Sequence, residues 1–229
     1  MRLTQKITEM KALFINFVSS HLRSYGKTPG TNTTHMKKIF ALIPVFCLFS
    51  VLAFGQWVND KGHSRVAFIV QHHGISEVDG FFKKYEATLT AAKDDLSDAA
   101  FEVTIETASL NTELEMRDNH LRSPDIFDAQ KFPTITFKST SFKKKKKNLY
   151  TMTGNLTIKG ITKPLTLDVT MNGPVENPNK NAKNIQVGIK ALGKIKRSGF
   201  TVGQNLTTAF VSDEIQLRIT GEFNKALPK

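Results

Sequence analysis

Residues 165–171 read LTLDVTM. Leu165, Leu167, Val169 and Met171 fall on odd positions, and Thr166, Asp168 and Thr170 fall between them. A period of two belongs to an extended strand, whose successive side chains point to opposite faces. One face here is apolar and the other polar. That is an antiparallel strand packed on one side and wet on the other, not a parallel strand covered on both.

The same period runs outward along the chain. Val66, Phe68 and Val70 share a face, with Arg65, Ala67, Ile69 and Gln71 opposite. Phe101, Val103 and Ile105 alternate with Glu102, Thr104 and Glu106, and Ile135 and Phe137 with Thr136 and Lys138. Tyr150, Met152, Leu156 and Ile158 keep one phase, as do Ile185, Val187, Ile189 and Ala191, and then Ile215, Leu217 and Ile219. With Gly80–Ala91 as a further strand, the pattern gives about eight. Turn residues separate them: Asp94-Asp95, a lysine run ending at Asn148, Lys159-Gly160, Asn172-Gly173-Pro174 and Asn177-Pro178-Asn179. The fold class is all-β, a closed barrel or a sandwich; an eight-stranded barrel can enclose one elongated small ligand. One helical segment is expected over Thr112–Phe127, capped by Asn111 or Thr112 and stopped by Pro124. It would lie across one barrel mouth.

The chain has 229 residues, 40% of them hydrophobic and 23% charged, which suits one folded domain with a core and excludes global disorder. The net charge of +12 is unevenly spread: residues 1–55 hold 7 Lys/Arg against 1 Asp/Glu, leaving 25 against 19 in 56–229. Five of those 25 form one run, Lys143, Lys144, Lys145, Lys146 and Lys147. A nucleic-acid binder would carry a basic stripe interleaved with stacking aromatics, so no nucleic-acid partner is expected. The run reads as a solvated hairpin tip, or as a transient docking patch for an anionic membrane surface. Cys47 is the single cysteine, so no disulfide staples the fold.

Residues 36–56, MKKIFALIPVFCLFSVLAFGQ, have the layout of a secretory signal. Two lysines precede an apolar run, and small residues place cleavage near Gly55/Gln56. The expected organisation is an N-terminal extension of doubtful status over 1–35, a signal peptide over 36–55 and a β-barrel domain over 56–229. The mature protein would be periplasmic or secreted.

Catalysis and metal binding find little support. No G-x-S-x-G occurs, and Asp118 and His120 lie too close in sequence to share a helix face. Neighbouring strand residues His72 and His73 point to opposite faces, and His63 lies about 30 Å from His72 along an extended chain. No catalytic residue, metal or cofactor is assigned. His72 keeps the phase of Val66, Phe68 and Val70, so it is expected to face the interior.

Four motif blocks in order resemble the YceI-like, polyisoprenoid-binding family. The first is Trp57, His63-Ser64, Phe68, His73-Gly74 and Val78-Asp79-Gly80-Phe81. The second runs from Arg117-Asp118-x-His120-Leu121 through Phe127-Asp128 to Phe132-Pro133-x-Ile135-x-Phe137. The third is Gly154-Asn155-Leu156-Thr157-Ile158-x-Gly160-Ile161-Thr162-Lys163-Pro164. The last, Lys196-Arg197-Ser198-Gly199-Phe200 to Val211-Ser212-Asp213-Glu214-Ile215, is looser: that family usually has an acidic residue where Gly199 stands and a glycine where Thr201 stands. The resemblance implies a lipocalin-like eight-stranded antiparallel barrel, export to a Gram-negative periplasm, and an apolar tunnel for a polyprenyl chain, isoprenoid quinone or similar amphiphile.

A tunnel needs apolar inward side chains with few polar ones. Alternation nominates Val66, Phe68, Val70, Phe101, Val103, Ile105, Ile135, Phe137, Leu167, Val169, Ile189, Leu217 and Ile219 as its lining. His72, Arg117, Asp118 and His120 are candidates for a polar mouth; the cluster they form with Asp125 could equally cap and pair, fixing the helix to the rim. The alternative function is a non-catalytic envelope stress or interaction protein with a packed core and no ligand. Oligomeric state stays open, a dimer included.

Overall fold

The computed structural model describes residues 56–179 and 181–227. The extension over 1–35, the signal over 36–55 and the cleavage point lie outside the described residues. Ten strands follow in order: β1 (Gln56–His72), β2 (Ser76–Phe82), β3 (Tyr85–Thr90), β4 (Ala100–Glu106), β5 (Leu110–Asn111), β6 (Thr134–Lys146), β7 (Leu149–Ile158), β8 (Ile161–Glu176), β9 (Asn184–Lys196) and β10 (Val211–Ala226). Helix α1 spans Glu115–Arg122, and 3-10 turns occupy Thr107–Ser109 and Arg197–Phe200.

The strands form one antiparallel sheet in the order β10-β9-β8-β7-β6-β4-β3-β1-β2-β5, and β10 returns to pair with β1. The sheet is therefore closed. β2 and β3 pair with successive stretches of β1, and β5 continues past β4 to meet β2. Counted as walls, the barrel has eight, as the alternation predicts.

The expected single strand Gly80–Ala91 is broken at Lys83-Lys84. The Lys83 N–H donates to Ser109 O at 3.0 Å and the Lys84 N–H to Ser109 Oγ at 3.1 Å. Those bonds draw the chain away from β1. The helix is shorter than its pattern. Glu113 takes a left-handed φ of 64°, so helical geometry starts only beyond it, and the N-cap is Leu114, with no side-chain hydrogen bond. Neither Asn111 nor Thr112 caps it. The helix stops at Ser123, where Pro124 disfavours helical backbone in the residue before it.

Both barrel ends are closed. At one end Phe142 stacks on Tyr150 with 4.6 Å between centroids, and Phe101 meets Phe142 at 5.3 Å and Phe223 at 6.3 Å. Buried Trp57 pairs with Leu89, which pairs with Phe101, and Val187 pairs with Phe223. At the other end α1 and the segment after β9 fold inward with Leu121, Ile126, Phe127, Phe200, Val202 and Leu206.

Candidate ligand-binding interior

Two apolar voids of about 140 and 120 Å³ lie between the closed ends. Val66, Phe101, Val103, Ile105, Ile135, Phe137, Leu167, Ile189, Leu217 and Ile219 line the first. Phe68 and Val70 line the second, beneath α1. Ile135, Ile158, Ile195 and Leu217 touch both and form a waist between them. Of the residues nominated as lining, only Val169 reaches neither void. It is buried, but it pairs between Tyr150 and Ala191 at the height of the aromatic plug, where the interior is filled. Met152, Leu156, Ile158, Leu165 and Ala191 also line the first void and share the alternating phase. Leu121, Ile126, Phe200, Val202 and Leu206 come from non-strand segments, which carry no period-two signal.

The four polar mouth candidates line neither void. His72 is exposed, and β10 bulges between Val211 and Ile215 where it pairs with this end of β1. His73 leaves the strand with φ 53°, so strict alternation fails there and its ring stacks on His72 at 4.0 Å. Arg117 donates Nε to Thr112 Oγ1 at 2.7 Å and a second N–H to Thr112 O at 2.7 Å. Asp118 is fully buried and accepts the Thr112 N–H at 2.8 Å. Both fix α1 to the chain entering it. His120 is exposed on the helix's outer side.

The buried polar group nearest the second void is Arg197. Its five guanidinium N–H bonds go to main-chain carbonyls: Ser212 from Nε at 3.1 Å, Val202 and Gly203 from one terminal nitrogen at 3.3 and 2.6 Å, Leu206 and Val211 from the other at 2.7 and 3.1 Å. Every donor is used, so this cation holds the closing segment and has none left for a ligand. Thr201 beside it has φ 55°, a backbone that a glycine adopts more easily. A side chain at Gly199 would meet Lys163 Nζ at 3.1 Å; an acidic one would find a cation there.

The first void has one polar corner, formed by Asn59, Ser64, Tyr85 and Thr220. It arises from a bulge in β1. The register with β10 passes from Asp60↔Glu222 to Arg65↔Thr220, so three extra residues loop out of β1. Ser64 Oγ closes the bulge, accepting Asn59 Nδ2 at 2.8 Å and the Glu222 N–H at 3.0 Å. His63 Nδ1 lies 3.0 Å from Asp60 Oδ2, and this hydrogen bond holds the Asp60 carboxyl below its usual range and raises the His63 imidazole. Asp60, His63 and Glu222 offer ligand atoms within 4.8 Å of one another, a shallow set that could hold a divalent ion. Histidine spacing alone does not show the neighbours of His63, which are Asp60 and, across the sheet, Glu222. Among the described residues, two buried polar atoms at the corner, Asn59 Oδ1 and Tyr85 Oη, have no hydrogen-bond partner, and burial pushes the Tyr85 phenol up.

Outside that corner lies an open groove of about 720 Å³, floored by Phe81, Phe82 and Pro133. Lys61, Arg65, Lys83 and Lys84 stand around it with Glu86 and Glu106. Lys61 pairs with Glu86, and Lys84 with Glu106 at 3.2 Å. Arg65 lies over the Phe81 ring at 4.4 Å. Arg65 and Lys83 have no carboxylate partner among the described residues.

Comparison with known proteins gives one consistent answer. The model of the YceI-like domain matches residues 57–223. Protein YceI of Salmonella arizonae is 37% identical over 179 residues, covering 78% of this chain and 91% of that protein. The Campylobacter jejuni YCEI protein superposes with a TM-score of 0.62 at 36% identity, over 67% of this chain and 88% of that one. Burkholderia cenocepacia BcnA superposes with a TM-score of 0.63 at 28% identity, over 72% and 98%. A polyisoprenoid binding domain from Saccharophagus degradans shares the fold, with a TM-score of 0.54 at 13% identity over 74% and 98%.

Proposed function

This chain belongs to the YceI-like family, and on that premise we propose that it is an exported carrier holding a long-chain isoprenoid amphiphile, such as a polyprenyl lipid or quinone, inside its barrel. The observation that carries this reading is the unfilled apolar interior: two voids joined at a four-residue waist, walled by side chains from most strands. The polyisoprenoid binding domain of Saccharophagus degradans, which has the same fold, adds the ligand class. Each void is close to the ~150 Å³ of an engineered cavity that binds benzene, so each accepts roughly one isoprene-sized group as it stands. A longer chain threads by rotamer shifts of Ile135, Ile158, Ile195 and Leu217, and each methylene it buries contributes about 0.8 kcal/mol. Affinity then scales with length of contact and needs no single specific group. The apolar leader over 36–55 supports carriage or storage in the cell envelope.

Organic extraction of the purified protein followed by mass spectrometry tests this. A co-purifying prenyl lipid, or uptake of added quinone, is expected. Neither would leave the protein as an envelope interaction partner with a packed core.

A further inference from the structure

Asp60 and Glu222 face each other directly across the ladder that closes the barrel. Like charges opposite one another weaken a sheet pair. Among the described residues neither carboxylate forms an ion pair with a lysine or arginine. Lys61 is committed to Glu86, and Gln186 gives Glu222 Oε1 only a neutral donor, from Nε2 at 2.7 Å. The group set beside the two carboxylates is the His63 imidazole, brought there by the β1 bulge. One ligand atom from each residue lies within 4.8 Å of the other two, and His63 Nδ1 is 3.0 Å from Asp60 Oδ2. The ligand atoms of a tetrahedral zinc ion stand about 3.4 Å apart, so a side-chain movement of roughly 1.4 Å closes the widest gap.

We propose that Asp60, His63 and Glu222 form a zinc site that staples β1 to β10. The donor set selects the ion. Two carboxylates supply charge, and the imidazole favours zinc over calcium and magnesium, which take oxygen ligands. Zinc replaces the proton between Asp60 Oδ2 and His63 Nδ1, and Nε2 keeps the proton of the neutral ring. Water fills the fourth position, since His63 is exposed. The site spans the place where the ladder lapses. β1 and β10 pair at Asp60↔Glu222 and next at Arg65↔Thr220, and between them β1 loops outward. Two ligands come from the bulge and its edge and the third from the strand opposite. The ion thus ties the first wall to the last where their hydrogen bonding is interrupted. It acts on the closure of the barrel and needs no ligand in the interior.

Thermal unfolding of the metal-free protein titrated with zinc chloride tests this. Zinc is expected to raise the wild-type midpoint by roughly 5 °C at saturation, and calcium at the same concentration to leave it unchanged. Glu222→Gln keeps the side chain's size and an oxygen for Gln186 but removes the opposed charge. It should be at least as stable as the wild type without metal, and lose the response to zinc. His63→Gln should lose the response as well. A purely structural role for Glu222 would instead lower the metal-free midpoint and keep the response. An unchanged response in either variant overturns the site, as does the absence of a response in the wild type. Zinc held by the stacked His72 and His73 would show as a response lost in His72→Gln/His73→Gln and kept in Glu222→Gln, which also overturns it. A calcium response equal to that of zinc removes the imidazole from the site and overturns it. Equilibrium dialysis reads binding without unfolding. It should give about one zinc per wild-type chain, and affinity about tenfold weaker or more in each single variant, since losing a ligand costs no less than losing an outer-shell partner.

Discussion

At the scale of single residues, His63-Ser64 shows what a motif hides. In sequence the pair is a landmark without a job. In the structure Ser64 Oγ closes the β1 bulge and His63 clamps Asp60 at its lip. The reason it was illegible is that the partners, Glu222 N and Asn59 Nδ2, are fixed by sheet register, which alternation does not reveal. The clamp makes a pH prediction. His63 is raised by its bond to Asp60, so its contribution is complete below the ordinary histidine value of about 6.5 and fades as pH climbs through the raised folded value. Asp60 is lowered, so its share is present above about 3.9 and fades as pH falls through the depressed value. The bulge is thus best held in the mildly acid window between. An NMR titration of the His63 imidazole should give a midpoint above that of free histidine, and Asp60→Asn should return it toward the ordinary value. A midpoint indifferent to Asp60→Asn removes the clamp.

At the scale of elements, period-two alternation located the walls and most of the strand-borne lining, because a barrel interior is read by the same face of every strand. It could not locate the break between β2 and β3, since Lys83-Lys84 is diverted by a serine 25 residues away. Nor could it see the segment after β9. That segment's seal depends on Arg197, and its removal exposes the dependence. In Arg197→Met, carbonyls of Val202, Gly203, Leu206, Val211 and Ser212 lose their donor inside the fold. A cost of about 3 kcal/mol is expected in urea unfolding, with faster amide exchange over 201–211. Arg197→Lys should recover little, because three donors on one nitrogen cannot span five carbonyls. Near-wild-type stability in Arg197→Met would show that apolar contacts alone hold the cap.

At the scale of the whole molecule, the lysine run occupies the β6–β7 hairpin, at the aromatic-plugged end and away from α1. Lys145 pairs with Asp168 at 2.9 Å and Lys144 approaches the Tyr150 ring at 5.9 Å, so both are partly engaged. Lys143, Lys146 and Lys147 make no ion pair among the described residues. Replacing these three by serine should weaken binding to phosphatidylglycerol vesicles by about 1 kcal/mol per residue at low salt and leave binding to neutral vesicles unaltered. Equal affinity of the triple variant and the wild type would return the run to a solvated hairpin tip. Periodicity alone reaches an all-β barrel or sandwich, while the lipocalin-like barrel and the ligand class needed the family, because any apolar interior of this width reads alike from its lining.

The seal between β1 and β10 also governs when the fold can form. Val58 is paired with Asn224, so the first wall of the barrel is completed only by the last. While the chain is being made, β1 has one partner too few and the cylinder stays an open sheet with a bare edge. Contacts this distant in sequence close slowly, since the loop entropy comes due before the contact repays it. Synthesis must reach the final strand before the interior can be sealed.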